Sequence, residues 1–583
     1  MESAEVLSEA LTIPPIESAD IRLDDCRRLT GPGLLWDRAG AVADVFFHGV
    51  DPAQVAELWR VNARRVLDAL GWRDEEVTLR LFAGGANLAL SGPEDGLFTA
   101  AYAAETAWHF CAAALLGMPP GDFDAMTADL RDLARREADP ARIALTAAAM
   151  ARGLDVLTDD EAVSVGHGAG SACWMLGALP DPGSVDWDGL HDIPLALVTG
   201  TNGKTTTTRL IAAMGLKAGW MAGLSSTDAV KVGTEVLAKG DYSGPAGARL
   251  LLRDPRVNMA ALEVARGGIL RRGLPVRHAA VAVVMNAAAD HLGHYGVNTV
   301  PELAEVKLSV RRGLKAGGVL VLNADDGFVV GAAEGIPEPV WWFSLDPGAP
   351  LITRARAAGV PCGWYDGQTL VLSDGQTEAA LIAAKDIPLS LNGAARYNLQ
   401  NALAAALAAR ALGIGDAAIR ATLAGFQSDA VDNPGRCNEF RRNGARVFVD
   451  FAHNPHSIAA VTGALAAVPA RRRFLLISHA GDRSDEDIRG LALGALALRP
   501  DVVVIAENPG YLRGRLPGEV PALIRAALRA APTPPSAILD APSPAPGAAM
   551  ILARLEPDDL ALLLVHAERD RIFAMLADPA PAE

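Results

Sequence analysis

Residues 195–214 read LALVTGTNGKTTTTRLIAAM: an apolar run of strand length, a turn built on Gly200 and Gly203, then Lys204 and a run of threonines opening an apolar segment of helical length. That order is restrictive. A buried strand that turns on glycines into a helix needs a parallel strand to return to, and such crossovers cover both faces of the sheet. The same grammar recurs at 259–264, 281–285 and 319–322. A further set begins near Asn438: ARVFVDFAHNP, FLLISHAGDR, DVVVIAENPG and DLALLLVHAERD each read as a buried strand running into a polar loop. The expected fold class is α/β with mostly parallel sheets, in which ligands bind beyond the carboxyl ends of the strands.

Ahead of these repeats the pattern differs. Val55, Trp59, Ala63, Val66 and Leu70 recur at helical spacing over 52–72. EVTLRLFAGGANLALSG alternates Val77, Leu79 and Leu81 against Thr78 and Arg80, then doubles back at Gly84-Gly85 as a hairpin. An apolar helix is expected over about 97–116, which makes this part a small α+β unit. GHGAGSACWMLGALPDPGSVDWDG carries the glycine, proline and serine clusters of a linker. APTPPSAILDAPSPAPGAA reads as a surface loop. At 583 residues the chain is too long for one core. The expected units are 1–165 (α+β), 166–192 (linker), 193–430 (central α/β) and 431–583 (C-terminal α/β).

A formal charge of -16 argues against broad nucleic-acid binding, so any anion must be held by a local site. Cys26, Cys111, Cys173, Cys362 and Cys437 lack CxxC spacing, which fits neither a disulfide scaffold nor a structural zinc site and suits a reducing cytoplasm. The acidic start MESAEVLSEALTIPPIESAD is unlike a secretory signal. The charge-free stretch 162–180 is broken by glycines, His167 and Pro180, a poor membrane span. The expectation is a soluble cytoplasmic protein with neither membrane nor nucleic-acid partners.

Gly200-Thr201-Asn202-Gly203-Lys204-Thr205 lies between a strand and a helix, the context of a phosphate-binding loop. Glycines let backbone N–H groups approach phosphate oxygens, the helix N-terminus adds partial positive charge, Lys204 would reach terminal phosphates and Thr205 would ligate magnesium. Val198 stands where the longer form of the pattern has glycine, and the alternative is a glycine-rich turn with a solvated lysine. AALEVARGG places Glu263 at a strand end, and VVMNAAADHLG places Asn286, Asp290 and His291 beyond another. Such carboxylate and imidazole groups beside a triphosphate are what a magnesium held by few protein groups requires. Alone, His291 would read as a hydrogen-bonded loop histidine.

In order, GTNGKTTT, the strand-end glutamate, N-x-x-x-D-H-L, the lysine of AEVKLSV, RYNLQNALAA, NPGR and VDFAHNP resemble the Mur ligases. GLSSTDAVKVG, GDYSGP, EVARGGILRRGL, DHLGHYGVNTVPELAEVK, VLNADD, GDRSDEDI and RGRLPGE are similar to the Mur-like half of the cyanophycin synthetases, from about Pro194 onward. The resemblance implies a Mur-type central P-loop domain, a Rossmann-like C-terminal domain, and ATP with Mg2+. Gly200, Thr201, Asn202, Gly203, Lys204, Thr205 and Thr206 would hold the phosphates. Thr205 and Glu263 would ligate one magnesium and His291 would help hold a second. Lys307 matches a lysine that many Mur ligases carry as an N-carbamate, also beside metal. Asn398 would contact adenine, and Arg436 and Asp450 would reach phosphate and ribose. Lys204, Glu263, His291 and Lys307 are thus the expected catalytic set, and His453 and Asn454 supporting residues.

What the resemblance implies chemically is ligation: ATP activates a carboxylate as an acyl phosphate, which an amine attacks. The substrates would be an amino acid and a carboxylate acceptor. Asp241, Ser243, Arg266, Arg271 and Arg272 are candidates for the acceptor. Gly481, Asp482, Arg483 and Arg513 are candidates for the amine side. Each of these also reads as a turn or surface residue. Cyanophycin synthetases carry an ATP-grasp module ahead of the Mur-like half, whereas here the chain runs almost directly from Gly170 to Pro194. One kind of amide bond is therefore expected, with any second step done by a partner ligase. Two other readings stand beside it: a nucleotide-binding accessory subunit, and a folylpolyglutamate-synthetase-like enzyme. A homo-oligomer is compatible with all three.

Overall fold

The computed structural model describes residues 4–532 and 534–577. Near the N-terminus an antiparallel sheet runs in the order Ile21–Leu29, Gly40–Phe47, Gly85–Ser91, Val77–Phe82. Its helix Pro52–Leu70 starts at an Asp51 side-chain cap with proline at the first position, and stops at Gly71 in the left-handed region. The stripe Val55, Trp59, Ala63 and Val66 is fully buried, and the Trp59 indole N–H donates to Thr78 O. Helix Leu97–Leu116 is buried on nearly every side, which its small alanines permit.

The stretch expected to be a linker, 166–192, is folded. Strand Ala172–Met175 pairs with Ala162–Val165, which pairs with Val156–Thr158, and Trp174, Leu179 and Trp187 pack around Leu145 and Val163. Its first glycines mark close backbone approach: a Cβ on Gly168 would stand 2.1 Å from Val257 O, and one on Gly170 2.3 Å from His191 O. Between Met175 and the next strand at Leu195 lie two short 3-10 turns and no further domain. No helix among the described residues is long and apolar enough to cross a membrane.

The central sheet has eleven strands in the order Glu235–Lys239, Ala229–Val232, Ala222–Ser225, Met259–Glu263, Leu195–Thr199, Ala279–Val284, Leu314–Asn323, Val340–Ser344, Cys362–Tyr365, Thr369–Ser373, Glu378–Ala383. The inner seven are parallel, and an antiparallel hairpin closes each edge. Strand alternation divides the core. Ala196, Val198, Met259 and Ala261 face one side with helices Lys204–Lys217 and Arg396–Ala411; Leu195, Leu197, Ala260 and Leu262 face the other with Pro245–Leu252 and Val300–Leu308.

The last sheet runs Asn438–Arg442, Ala445–Asp450, Leu560–Leu564, Arg473–Ile477, Val502–Ala506, Ala537–Ala541, parallel except for its first pair. Two of these elements correct the reading of 531–549 as a loop. Ala537–Ala541 is a paired strand, and helix Pro544–Leu552 begins on a proline at its first position, where the missing N–H costs nothing. Composition read the proline-rich stretch as a surface loop, but one of its prolines is a helix start.

Candidate active site

A cavity of about 730 Å3 opens at the carboxyl ends of strands Leu195–Thr199, Met259–Glu263 and Ala279–Val284, and the C-terminal unit supplies its opposite wall. The loop 200–206 lines it. Gly203 has φ 88° and caps helix Lys204–Lys217 without a side-chain hydrogen bond, leaving the helix N-terminus bare toward the cavity. A Cβ on Gly203 would meet Asn401 Oδ1 at 2.4 Å, and one on Gly200 would meet Met285 Cβ at 2.8 Å. The loop is laced to the neighbouring strand end: Thr201 N donates to Asn286 O (3.0 Å) and Asn202 N to Asn286 Oδ1 (2.8 Å). Lys204 Nζ rests on the loop's own carbonyls, Gly200 O and Thr201 O, both at 3.1 Å.

Glu263 is buried at its strand end. It accepts from Thr205 Oγ1 (2.9 Å), Thr227 Oγ1 (2.7 Å) and Thr227 N (3.2 Å). Arg436 of the C-terminal unit donates to the same Thr205 hydroxyl at 3.4 Å and stacks 4.9 Å from the Phe451 ring. Asp450 accepts from Cys437 N (2.8 Å) and Ala452 N (2.6 Å). Burial outweighs the pull of Arg436 and these amides and raises its carboxyl to about 6.

The imidazole of His291 accepts from Arg483 Nη2 at 2.7 Å, and Arg483 Nη1 pairs with Asp290 at 3.3 Å. Burial lowers His291 to about 4, Asp290 opposing and Arg483 and Arg266 adding to the effect, so the ring is neutral at pH 7. A cation at His291 Nε2 would compete with that arginine. Lys307 is buried in the cavity wall and its amine makes no hydrogen bond among the described residues. Burial, followed by the nearby Lys204, holds its amine well below the ordinary lysine range. Among the described residues no group of three or more His, Cys, Asp or Glu side chains is arranged to hold a metal ion alone. Thr205 and Glu263 do suit magnesium, which takes few protein ligands and draws the rest from water and phosphate.

The remaining expected residues divide. Asn398 lines the cavity with its amide committed to Leu389 O and to Asn401, both at 2.9 Å. Asp241, Ser243, Arg266, Arg271, Asp482 and Arg513 also line it. Ser243 Oγ donates to Asp241 Oδ1 at 2.6 Å, and Arg513 pairs with Asp482 at 2.5 Å. Neither Arg266 nor Arg271 forms an ion pair with a carboxylate among the described residues, although Asp290 lies near enough to Arg266 to favour its charge. Arg272 is a correction: it turns from the cavity toward the N-terminal unit, donating to Arg28 O at 3.4 Å while its carbonyl accepts from Thr30 N. Gly481 packs against Leu512 O and is not in the cavity wall. Asn454 caps helix Pro455–Ala466 and exchanges amide hydrogen bonds with Asn202 (3.1 and 3.3 Å), while His453 Nε2 lies 3.9 Å from Asp290.

Sequence reasoning missed Thr227, Asp228 and Arg569. Asp228 receives Arg209 (2.9 Å) from helix Lys204–Lys217 and Arg569 (2.9 Å) from the C-terminal unit, with Arg436 at 4.0 Å. The segment GLSSTDAVKVG stood out as a motif, but nothing local in it said that its Thr-Asp pair would meet Glu263 and two distant arginines.

Residues 198–409 match the family model of the Mur ligase middle domain, and 435–564 that of the Mur ligase glutamate ligase domain. The chain is 38% identical over 332 residues to the cyanophycin synthetase of Trichormus variabilis, covering 57% of this chain and 37% of that protein. It is 39% identical over 333 residues to that of Crocosphaera subtropica, covering 57% and 38%. It is 28% identical over 332 residues to the UDP-N-acetylmuramoylalanine--D-glutamate ligase of Salinibacter ruber, covering 57% and 65%. The match thus spans little more than a third of the length of either synthetase.

Proposed function

The chain belongs to the Mur ligase superfamily, and we propose from this that it is an ATP-dependent ligase joining an acceptor carboxylate to the amine of an amino acid. The carboxylate oxygen attacks the γ-phosphorus as the bond to ADP breaks. The amine then attacks the acyl carbon, phosphate leaves, and the amine's proton passes to phosphate or solvent. Such a sequence asks for positioning and charge neutralisation more than for covalent participation by the protein. The loop 200–206 and the helix N-terminus behind it cradle the phosphates, Lys204 leaves its two carbonyls to meet them, and Arg436 approaches from the other wall. Thr205 and Glu263 would hold magnesium, which when bound would supply neutralising charge at the phosphates. Because the two walls come from different units, closure excludes water from the acyl phosphate.

The observation that carries this reading is the Thr205–Glu263–Thr227 cluster at the mouth of the phosphate loop, with Arg436 of the facing unit on the same Thr205 hydroxyl. Lys307 fits the carbamate role, because burial and the nearby Lys204 disfavour its charged form and so favour the neutral amine that adds to CO2. Arg266 and Arg271, which line the cavity without an ion pair, suit an anionic acceptor, and Asp482, which Arg513 holds at 2.5 Å, suits the ammonium of the amino acid.

The test is phosphate release from ATP and Mg2+ across a panel of amino acids and peptide or cofactor carboxylates. Release that needs both an acceptor and an amine, and is lost in Lys204→Ala while the thermal midpoint stays in place, supports a ligase. ATP binding without turnover on any pair would instead identify a nucleotide-binding subunit.

A further inference from the structure

The N-terminal sheet lies outside both matched domains and has two unlike faces. One, carrying Ala43, Val45, Ala86 and Leu88, packs on the helices. The other carries Arg27, Asp44, Asn87 and Arg80: Asp44 and Asn87 are direct cross-strand partners, so are Asn87 and Arg80, and Arg27 lies on the same face beside them, opposite Val42. An antiparallel sheet with one packed face ordinarily leaves such polar residues to water. Here Arg27, Asp44 and Asn87 are 8%, 1% and 4% exposed.

What covers them is the acceptor side of the cavity. Arg27 Nε donates to Leu270 O (2.9 Å), Asn87 Nδ2 to Tyr295 O (3.2 Å) and Arg80 Nη1 to Gly296 O (2.9 Å). The Arg27 guanidinium sits 4.7 Å from the Tyr295 ring centre, held from behind by Asp44, which also takes Asn87 Nδ2 at 2.7 Å. Arg80 Nη2 reaches Glu302 (3.0 Å), whose other oxygen closes the capping box of the helix that carries Lys307. The turn gripped in this way is strained: His291, Tyr295 and Gly296 have φ of 53°, 57° and 69°. Two of the three carry a Cβ, so the turn needs outside contacts to keep its shape. Arg266, Arg271, His291 and Tyr295, which face the cavity, ride on this turn and on helix Arg266–Arg272.

We propose that the N-terminal unit shapes the acceptor wall of the ligase site, with Arg27, Arg80 and Asn87 as positioning residues for the 290–297 turn and helix Arg266–Arg272. They donate to its backbone carbonyls, so they set where the wall's side chains stand without touching substrate. The inference rests on the ligase reading for its kinetic consequence and stands apart from it for its structural one.

Asn87→Ala, Arg80→Met and Arg80→Lys are compared in the full-length protein with Trp59→Phe, a core change on the opposite face of the sheet. Losing one such hydrogen bond should raise the KM of the acceptor that triggers phosphate release by about tenfold and leave the KM of ATP within about twofold. Arg80→Lys should recover part of the loss, and Trp59→Phe should leave both constants alone. An unchanged acceptor KM, or equal rises in both, overturns the proposal. If no acceptor in the panel supports turnover, backbone hydrogen exchange decides. Exchange that is faster by about tenfold over 266–272 and 290–297, with ATPγS affinity kept, upholds the positioning role, and unchanged exchange there overturns it.

Discussion

Asp228 joins the central and C-terminal units beneath the loop 200–206, so the cleanest perturbation removes the arm that crosses between them. In Arg569→Met the pair of Asp228 with Arg209 stays within the central unit and only the 2.9 Å contact across the units is lost. Burial of Asp228 opposes ionisation, but Arg436, Arg209 and Arg569 together hold its carboxyl below the ordinary range, so the contact is a charged one at neutral pH. A hydrogen bond between charged groups contributes about 1.5–3 kcal/mol, and the 28% exposure of Arg569 reduces this through solvent screening to about 1–2 kcal/mol. If nucleotide binds the closed arrangement, that loss should weaken ATPγS with Mg2+ by about 5- to 30-fold in calorimetry. Asp228→Asn should do at least as much, because Arg209 then faces Arg436 and Arg569 without a counter-charge. The double variant should be no worse than Asp228→Asn, giving a coupling energy of about 1–2 kcal/mol. Additive effects would refute the latch. So would tighter binding in Asp228→Asn, which would mean that the aspartate draws Arg436 away from phosphate.

Two further outcomes follow from the buried groups around the cavity. Lys307→Arg should lower turnover by at least about a hundredfold, because a guanidinium stays charged and cannot take up CO2, and the variant should also lose any carbamate signal seen by 13C NMR with labelled bicarbonate. His566 should make the C-terminal unit lose stability in mild acid, against the opposite pull of Asp450, whose carboxyl is raised to about 6 and stabilises the fold as it takes up a proton. Burial, then the neighbouring His453, lowers His566 from 6.5 to about 3, so below pH 6.5 the unfolded chain binds a proton that the folded chain refuses. The loss is about 1.4 kcal/mol per pH unit for one proton, or about 2 kcal/mol by pH 5, and His566→Gln should flatten the slope by that amount in urea unfolding at pH 7 and 5.

What could be read along the chain was whatever is decided locally. The inner parallel strands are apolar runs flanked by glycine turns, and the loop 200–206, Glu263 and Asp450 all sit at or just beyond such runs, where a strand end fixes their place in the fold. The edge hairpins Ala229–Val232 with Glu235–Lys239, and Thr369–Ser373 with Glu378–Ala383, are short and half polar, too weak a pattern to announce themselves. Arg27, Asp44, Asn87 and Arg80 were illegible for a different reason. Each is the outward residue of an alternating strand, the position that pattern reading assigns to solvent, and only the docking of a turn more than 200 positions away turns solvent into interior. Asp228 and Arg569, 341 positions apart, are the same case. A lone charged residue carries no sign of the partner that will bury it, whereas a buried charge without one would cost several kcal/mol. The residues hardest to read from sequence are therefore those whose polar contacts bind one unit of this protein to another, and their burial in the fold is what makes them the ones to mutate.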